Sequence, residues 1–173
     1  MAIPCGRDSL ALLQRKSAAL NQSFGGGVGC CESRLTRLRF GCPPGGATSP
    51  TPVEAADPPY TVAARDGFGT LQFSVALYRS GPVPHPTPAV LLEMVEEFGR
   101  GRGLGEPSVV VTEPGPPTLA AGSFAWGEEF VRVWQVSDGH NFAFVTYTCS
   151  ADDAGPEVAT CEQILRSIEF LTG

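Results

Sequence analysis

The clearest alternation of apolar and polar positions lies between residues 128 and 170. Two runs rich in Val, Phe, Trp, Tyr and Thr cover residues 129–136 and 141–149, and these residue types favour β-strands. Asp138 and Gly139 stand between the runs, and Asp-Gly is a dipeptide that tolerates positive φ at both centres of a type I′ turn. The sequence therefore predicts a hairpin with a two-residue turn.

The predicted turn sets a register for the hairpin. It pairs Ser137 with His140, so Trp134 lies opposite Ala143 and successive pairs alternate between two faces. One face then carries Phe130, Arg132, Trp134, Val136, Val145 and Tyr147. The other face carries Val131, Val133, Phe142 and Phe144. Neither set is plainly polar, which predicts central strands that are covered at least in part on both sides.

A helix and a closing strand are expected after the hairpin. Pro156 suits the first helical position, and Glu157 complements the helix dipole in the first turn. Apolar residues then recur at helical spacing, namely Val158, Cys161, Leu165 and Ile168. We expect a helix that packs on the sheet and ends near Arg166, followed by a short strand from Ser167.

Earlier segments predict further strands. Residues 34–40 alternate basic and apolar side chains and are followed by Pro-Pro-Gly, a pattern typical of a solvent-facing edge strand. A Pro-rich loop over residues 48–59 then precedes a second hairpin, with strands over residues 60–64 and 70–78. These short turns favour antiparallel neighbours in one sheet.

Another helix is expected between this second hairpin and the C-terminal one. Thr87 and Pro88 supply its cap and first residue, and an apolar stripe predicts a helix over residues 89–99. Strands over residues 108–112 and 118–126 follow it. Antiparallel strands interrupted by two helices predict an α+β fold, with an antiparallel sheet of about six to eight strands and two main helices.

Length and charge limit the class of protein. The chain has 173 residues, of which 42% are hydrophobic, enough for one domain with a sizeable core. We assign that domain to residues 33–173 and expect residues 1–32 to be peripheral, either a short helix with a glycine-rich linker or disordered. The net charge of −6 argues against a nucleic-acid or anionic-membrane partner. No apolar run reaches about 18 residues and no signal peptide is recognisable, so a soluble cytoplasmic protein is expected if Met1 is the true start.

The cysteines and histidines form no recognisable chemical motif. The six cysteines show no Cys-x-x-Cys spacing and there are two histidines, so we predict neither a metal site nor a cofactor. Cys149 and Cys161 allow either a disulfide or two buried thiols, and free thiols are expected in a cytosolic protein. His85 stands between prolines and His140 beside a turn, so we predict no catalytic residues.

Two segments carry a resemblance to a known superfamily. Residues 40–45 read Phe-Gly-Cys-Pro-Pro-Gly, and residues 164–170 read Ile-Leu-Arg-Ser-Ile-Glu-Phe at the end of the second helix. Together with the order of strands and helices, these segments make residues 33–173 similar to the PsbP-like superfamily, which includes DcrB-like bacterial proteins. Gly46 departs from the superfamily pattern, which has a tryptophan after the first Pro-Gly.

The resemblance implies a PsbP-like sandwich and a binding function. Members of this superfamily are mainly non-enzymatic and bind other proteins, as photosystem subunits, nuclear-transport factors, lipoproteins or chaperones of secreted effectors. We therefore expect a non-enzymatic protein-binding module whose partner is another protein, either a bacterial chaperone or adaptor or an immunity-type protein. A small-molecule or lipid-binding module is an alternative, as is a small hydrolase. The resemblance carries over no functional residue, because a shared fold does not imply a shared site.

The candidate partner-binding residues are aromatic side chains and one arginine, types that dominate protein-binding hot spots. They are Trp126, Phe130, Arg132, Trp134 and Tyr147. The predicted register places the last four on one face, and we expect Trp126, which is close to them in the sequence, to lie on the same face. Two interpretations are open. The residues form an exposed binding patch, or a helix covers the face and they belong to the ordinary core.

Overall fold

The structure is a computed structural model. It describes residues 30–33, 38–41, 46–49, 60–64 and 67–171, with side chains described from residue 60 onwards except for Pro156. The peripheral segment predicted at residues 1–32 therefore lies outside the described residues, apart from its C-terminal end.

Strands and helices follow one another in the predicted α+β order. The strands are β1 (Cys30–Ser33), β2 (Leu38–Gly41), β3 (Gly46–Ser49), β4 (Tyr60–Ala64), β5 (Thr70–Ala76), β6 (Ser108–Glu113), β7 (Thr118–Trp126), β8 (Glu129–Ser137), β9 (Phe142–Ser150) and β10 (Glu169–Phe170). The helices are α1 (Pro88–Arg102) and α2 (Ala154–Arg166), with a 3-10 turn (Ala151–Asp153) before α2. Both predicted helices are confirmed. They have 15 and 13 residues, and neither described helix combines the length and apolar character needed to cross a membrane.

The strands form two antiparallel sheets. The larger sheet has the order β3-β4-β5-β9-β8-β7-β6, and the smaller has the order β1-β2-β10. Of the edge strand predicted at residues 34–40, residues 34–37 lie outside the described residues. The described part is a strand, β2, but it is not an edge, because it pairs with β1 on one side and with β10 on the other. The short strand expected after Arg166 is present as β10, whereas β1 has four residues, too few for a sequence pattern to reveal. The strand β3 likewise falls partly within the loop predicted at residues 48–59.

The β8–β9 hairpin has the predicted strands in a different register. Ser137 pairs with Phe142 and Trp134 pairs with Val145, so four residues connect the strands and the predicted two-residue turn is wrong. The offset from the predicted pairing is two residues. Because side chains alternate with a period of two, an even offset leaves every side chain on its predicted face. The sorting of the β8 and β9 side chains between the faces is thus confirmed.

A carboxylate closes the hairpin loop. Asp138 Oδ1 accepts hydrogen bonds from the backbone N–H groups of His140 and Asn141 at 2.9 and 2.7 Å. Burial acts to raise the pKa of Asp138, but the hydrogen bonds from Asn141 and His140 outweigh it and the pKa is lowered. Gly139 alone in this loop has positive φ, at 98°. An Asx-type turn therefore replaces the type I′ turn, which needs positive φ at two centres.

Each face of the large sheet packs against one helix. One core lies beneath α2 and includes Trp134, Val145 and Tyr147 together with Cys161, Ile164 and Leu165 of the helix. The other core lies beneath α1 and includes Val95, Phe124, Val131 and Val133. The central strands are therefore covered on both faces, as predicted.

The helix α1 begins at its predicted cap and continues beyond its predicted end. Thr87 accepts a backbone hydrogen bond through its side chain, as an N-cap does. The helix ends at Arg102, followed by Gly103 in the left-handed conformation that a C-terminal glycine supplies. Gly99 is buried inside the helix, where an added Cβ would collide with the ring of Phe124. This glycine permits close packing against the sheet and does not terminate the helix.

Replacing Leu165 tests the core beneath α2. Leu165 is fully buried, so we expect Leu165→Ala to lower the free energy of unfolding by about 2–5 kcal/mol through lost burial and a residual cavity. Val90→Ala is the control, since Val90 is 47% exposed on α1 and should change this free energy by less than about 0.5 kcal/mol. Urea denaturation followed by circular dichroism measures both. Equal effects would contradict the packing of α2 on this face.

Candidate functional site

Two of the predicted site residues lie in the core beneath α2. Trp134 is fully buried and Tyr147 is 1% exposed. Both pack with Cys161 and Leu165 of the helix, which needs an apolar surface for its own buried stripe. The interpretation as an exposed patch is therefore wrong for these two side chains, and the alternative of a helix-covered face is observed.

Trp126 and Phe130 lie away from the centre of that core. Trp126 pairs with Glu129, so alternation along β7 and β8 places it on the α1 face, opposite to Trp134. The prediction that Trp126 shares a face with the other candidates is therefore wrong. Phe130 does share that face and packs, half-buried, at the rim of the α2 core. A role of these two partly exposed side chains in binding stays a prediction.

The fifth predicted residue, Arg132, is buried with 2% exposure. Its Nη1 donates to the backbone carbonyl of Val109 at 3.0 Å and to Ser123 Oγ at 2.8 Å. Its Nη2 donates to Glu162 Oε1 at 2.8 Å, forming an ion pair. Its guanidinium also lies 5.5 Å from the ring centroid of Trp134, within the range of a cation–π contact. One side chain on β8 thus connects β6, β7 and α2.

A second arginine extends this network to the other end of β6. Arg166 Nη2 lies 2.6 Å from Glu113 Oε1 and 3.4 Å from Glu162 Oε2. The hydrogen bond from Arg166 holds the pKa of Glu113 below its ordinary value. The same contact raises the pKa of Arg166. Because Glu162 contacts both arginines, charges of alternating sign join β8, α2 and the end of β6.

The strand β6 is irregular between these two anchors. Its ladder pairs Ser108 with Ser123 and then Val111 with Ala121, so one extra residue on β6 forms a β-bulge. Val109 lies in the bulge with φ of 48°, a conformation that β-branched residues rarely adopt. Such backbone strain persists only where the surrounding structure enforces it, and it is often found at binding sites.

The bulge exposes two apolar side chains on an edge strand. Val109 is 69% exposed and Val110 is 44% exposed. Among the described strands, β6 ends the large sheet and has no neighbour on its outer side. We call Val109, Val110 and the outer backbone of β6 the valine edge. It can pair with a strand of another chain through backbone hydrogen bonds, with the two valines as apolar contacts beside them.

A separate polar group lies in the first turn of α2. The carboxylate of Glu157 accepts hydrogen bonds from the backbone N–H groups of Phe68 and Gly69, both at 3.0 Å. It also accepts one from the hydroxyl of Tyr147 at 2.6 Å. Burial and this hydrogen bond raise the pKa of Tyr147. Glu157 therefore ties the β4–β5 turn to β9 and α2, beyond its predicted role beside the helix dipole.

The two described cysteines are free, buried thiols. Burial raises the pKa of Cys149, and it raises the pKa of Cys161 to about 12. A thiol with a raised pKa stays protonated near neutral pH, and the thiolate is the nucleophilic form. Neither thiol is therefore activated for nucleophilic chemistry.

Both histidines of the chain meet at one end of the large sheet. The ring centroids of His85 and His140 are 5.4 Å apart, and the backbone N–H of His85 donates to the carbonyl of Gly139 at 2.9 Å. Cys149 lies near the other end of β9, roughly 25–30 Å from His140 at about 3.3 Å per residue. Neither histidine therefore lies beside Cys149. Within the described part of the chain, no cluster of three or more His, Cys, Asp or Glu side chains is placed to hold a metal ion.

Comparison with known proteins identifies the fold through solved structures. No protein-family model matches the chain, and no curated protein sequence matches it. Cyanobacterial PsbP from Synechocystis sp. PCC 6803 is similar with a TM-score of 0.54 and 11% identity, over 87% of this chain and 98% of that protein. The chain has a PsbP-like fold. The predicted fold is thereby confirmed, and an identity this low shows the fold alone.

Two other solved structures agree with this assignment. A protein from Bacteroides thetaiotaomicron VPI-5482 has a TM-score of 0.54 and 12% identity over 84% of this chain. The match covers 50% of that protein, so this chain spans about half of its length. A single-substitution variant of the protein Mog1 has a TM-score of 0.51 and 9% identity, over 83% of this chain and 95% of Mog1. The PsbP-like fold thus recurs in proteins with little sequence in common.

The sequence predicts Arg132 as a binding residue, whereas it is buried, and it does not predict the valine edge that Arg132 supports. The segment Ser-Val-Val-Val-Thr at residues 108–112 predicts a short strand, but three consecutive valines show no alternation that would assign an exposed face. A weak signal was available, since a strand flanked by Pro107 and Pro114 is more easily accommodated at an edge than in the centre of a sheet. The two backbone partners of Glu157 lie 88 and 89 residues away, and no local pattern marks them.

Removing the buried arginine tests the anchor of the valine edge. Arg132→Met should lower the free energy of unfolding by about 3 kcal/mol, because it removes the donor of Glu162 Oε1 and of the Val109 carbonyl and leaves Glu162 only its longer contact with Arg166. The double variant Arg132→Met/Glu162→Leu removes both charges and should lose less than the sum of the two single variants. Chemical denaturation of the four proteins gives the coupling energy. Purely additive effects would show that the pair does not anchor this region.

The pair of Glu113 and Arg166 should make stability depend on pH. Because the folded pKa of Glu113 is lowered, its contribution is fully present above the unfolded value of about 4.3 and is lost as pH falls through the folded value. The stability difference between wild type and Glu113→Gln should therefore be constant near neutral pH and shrink below about pH 4. Thermal unfolding across this range measures it. The same substitution in an Arg166→Gln background is the control, and an unchanged pH dependence there would contradict the assignment.

Proposed function

We propose that this protein is a non-enzymatic protein-binding module that receives an extended segment of another protein along the valine edge. The observation that carries the proposal is the exposure of Val109 and Val110 on an edge strand, 69% and 44%. A hydrogen bond from Arg132 to the Val109 carbonyl holds one end of β6, and the ion pair between Arg166 and Glu113 holds the other. A surface that is already ordered loses less conformational entropy on binding, which favours affinity.

Strand addition is the mode of binding that this surface supports best. Backbone groups of an edge strand supply sequence-independent affinity, and adjacent side chains supply specificity. The partner would contribute an extended segment with apolar side chains opposite Val109 and Val110. A chaperone or adaptor that holds such a segment of its client fits this mode, because chaperones are known to add strands to exposed edges. We therefore place this role ahead of an immunity-type inhibitor.

Two further observations support a binding function over catalysis. The superfamily that the sequence resembles consists mainly of proteins that bind other proteins. The histidine pair and Cys149 lie near opposite ends of β9, and the pKa of Cys149 is raised by burial. A nucleophile without a neighbouring base and with a raised pKa lacks the activation that hydrolysis requires.

Affinity capture with a charged valine edge tests the proposal. The double variant Val109→Asp/Val110→Asp places two carboxylates where a partner strand would bury apolar contacts, so we expect at least a tenfold loss of the captured partner. The bait is the full chain in native lysate. Phe68→Asp is the matched control, because Phe68 is 61% exposed and lies in the β4–β5 turn on the far side of the sheet.

Hydrogen exchange of the complex then tests the mode of binding. Strand addition should protect those backbone amides of residues 111–113 that point away from β7 when the purified partner is present. A partner that is retained equally by the double variant would overturn the assignment to the valine edge. Failure of the wild type to capture any stoichiometric protein would overturn the binding function itself.

A further inference from the structure

A second feature of the fold, separate from the valine edge, is a cleft between α2 and the β4–β5 hairpin. The cleft has a volume of about 230 Å³. Its apolar wall includes Val62, Ala64, Leu71 and Ile164. A cavity of roughly 150 Å³ can hold benzene. The space therefore fits one aromatic ring or a short alkyl chain with a small polar head group.

The polar part of the wall is the carboxylate of Glu157. Its Oε1 accepts from the backbone N–H of Phe68, and its Oε2 accepts from the backbone N–H of Gly69 and the hydroxyl of Tyr147. All three donors are neutral groups. None of the ion pairs formed between described residues involves Glu157. The carboxylate is therefore fixed in position by dipoles, which stabilise its charge without neutralising it.

The negative charge of Glu157 contributes to the raised pKa of three titratable groups near the cleft. Burial is the largest cause of the raised pKa of Tyr147, Cys149 and Cys161, and the charge of Glu157 adds to it in each case. Two of these side chains, Tyr147 and Cys161, line the cleft with Glu157. A negative potential therefore extends over its polar wall, where a positive group is favoured.

We propose that the cleft binds a small organic cation, a protonated amine carried on an apolar body the size of one aromatic ring or a short alkyl chain. The ammonium donates to Glu157, since an ionised carboxylate offers about four acceptor positions and three are occupied here. The apolar body lies against Val62, Leu71 and Ile164, which line the cleft and are almost fully buried elsewhere in the core. Charge and shape thus select the same class of ligand.

Titration of the full chain with hexylamine, monitored by two-dimensional NMR, tests the site. Hexylamine is protonated at neutral pH, and we expect saturable binding with shifts in residues that line the cleft. The neutral isostere 1-hexanol should bind about 10- to 100-fold more weakly, the range expected when a hydrogen bond between charged groups is lost. Equal binding of the two ligands would overturn the role of charge, and no saturable binding of hexylamine at millimolar concentration would overturn the site.

Three variants separate the cleft from general electrostatics. Glu157→Gln should weaken hexylamine binding by about 10- to 100-fold and leave hexanol binding unchanged. Glu93→Gln removes the same charge from the exposed surface of α1 and should bind hexylamine as the wild type does. Ala64→Trp adds bulk from an exposed position at the end of β4 and should abolish binding of both ligands while Glu157 is intact. Equal losses in Glu157→Gln and Glu93→Gln, or full binding in Ala64→Trp, would overturn the proposal; the tryptophan variant decides the matter if Glu157→Gln fails to fold.

Discussion

A guanidinium that leaves water loses several kcal/mol of hydration, and the two terminal nitrogens of Arg132 offset part of this loss through acceptors on three different elements. They are the carbonyl of Val109 on β6, the hydroxyl of Ser123 on β7 and the carboxylate of Glu162 on α2. Because each acceptor belongs to a separate element, sheet, helix and edge strand must be in place together for the charge to be tolerated. The position of β6 is therefore coupled to the core beneath α2 and is not that of a loosely attached edge.

The faces on which the β8 and β9 side chains lie could be predicted from the sequence, but the residue pairs between these strands could not. Side-chain alternation has a period of two, so the hairpin error of two residues moved the partner of Trp134 without moving any side chain to the wrong face. The face predicted for Trp126 is wrong because it rests on nearness in the sequence. The short β7–β8 turn pairs Trp126 with Glu129, and alternation along the strand then places it on the other face. The strands β1 and β3 have four residues each, and no periodicity is measurable over such a length.

The sequence predicts the candidate sites less well than it predicts the fold. Arg132 is predicted as a partner-binding residue, but it is buried. Its acceptors come from the bulge at Val109 and from a helix 30 residues away, both set by tertiary packing. Val109 has a positive φ, which β-branched residues rarely adopt. The rest of the fold imposes this conformation, so the local sequence does not predict it. The sequence predicts Glu157 in the first turn of a helix. It does not predict the backbone N–H groups that orient the carboxylate, because they belong to a turn that is distant in the sequence.

The bulge at Val109 also limits what can grow from the edge of the sheet. A long, flat and apolar edge strand can pair with the same strand of another copy of the protein, and repeated addition of copies produces a fibril. Here the regular ladder continues only over residues 111–113, and the extra residue before it interrupts the template. A short, interrupted template can hold one matching strand and still resist open-ended polymerisation. The same irregularity that exposes the valines thus keeps an apolar edge compatible with a dispersed protein.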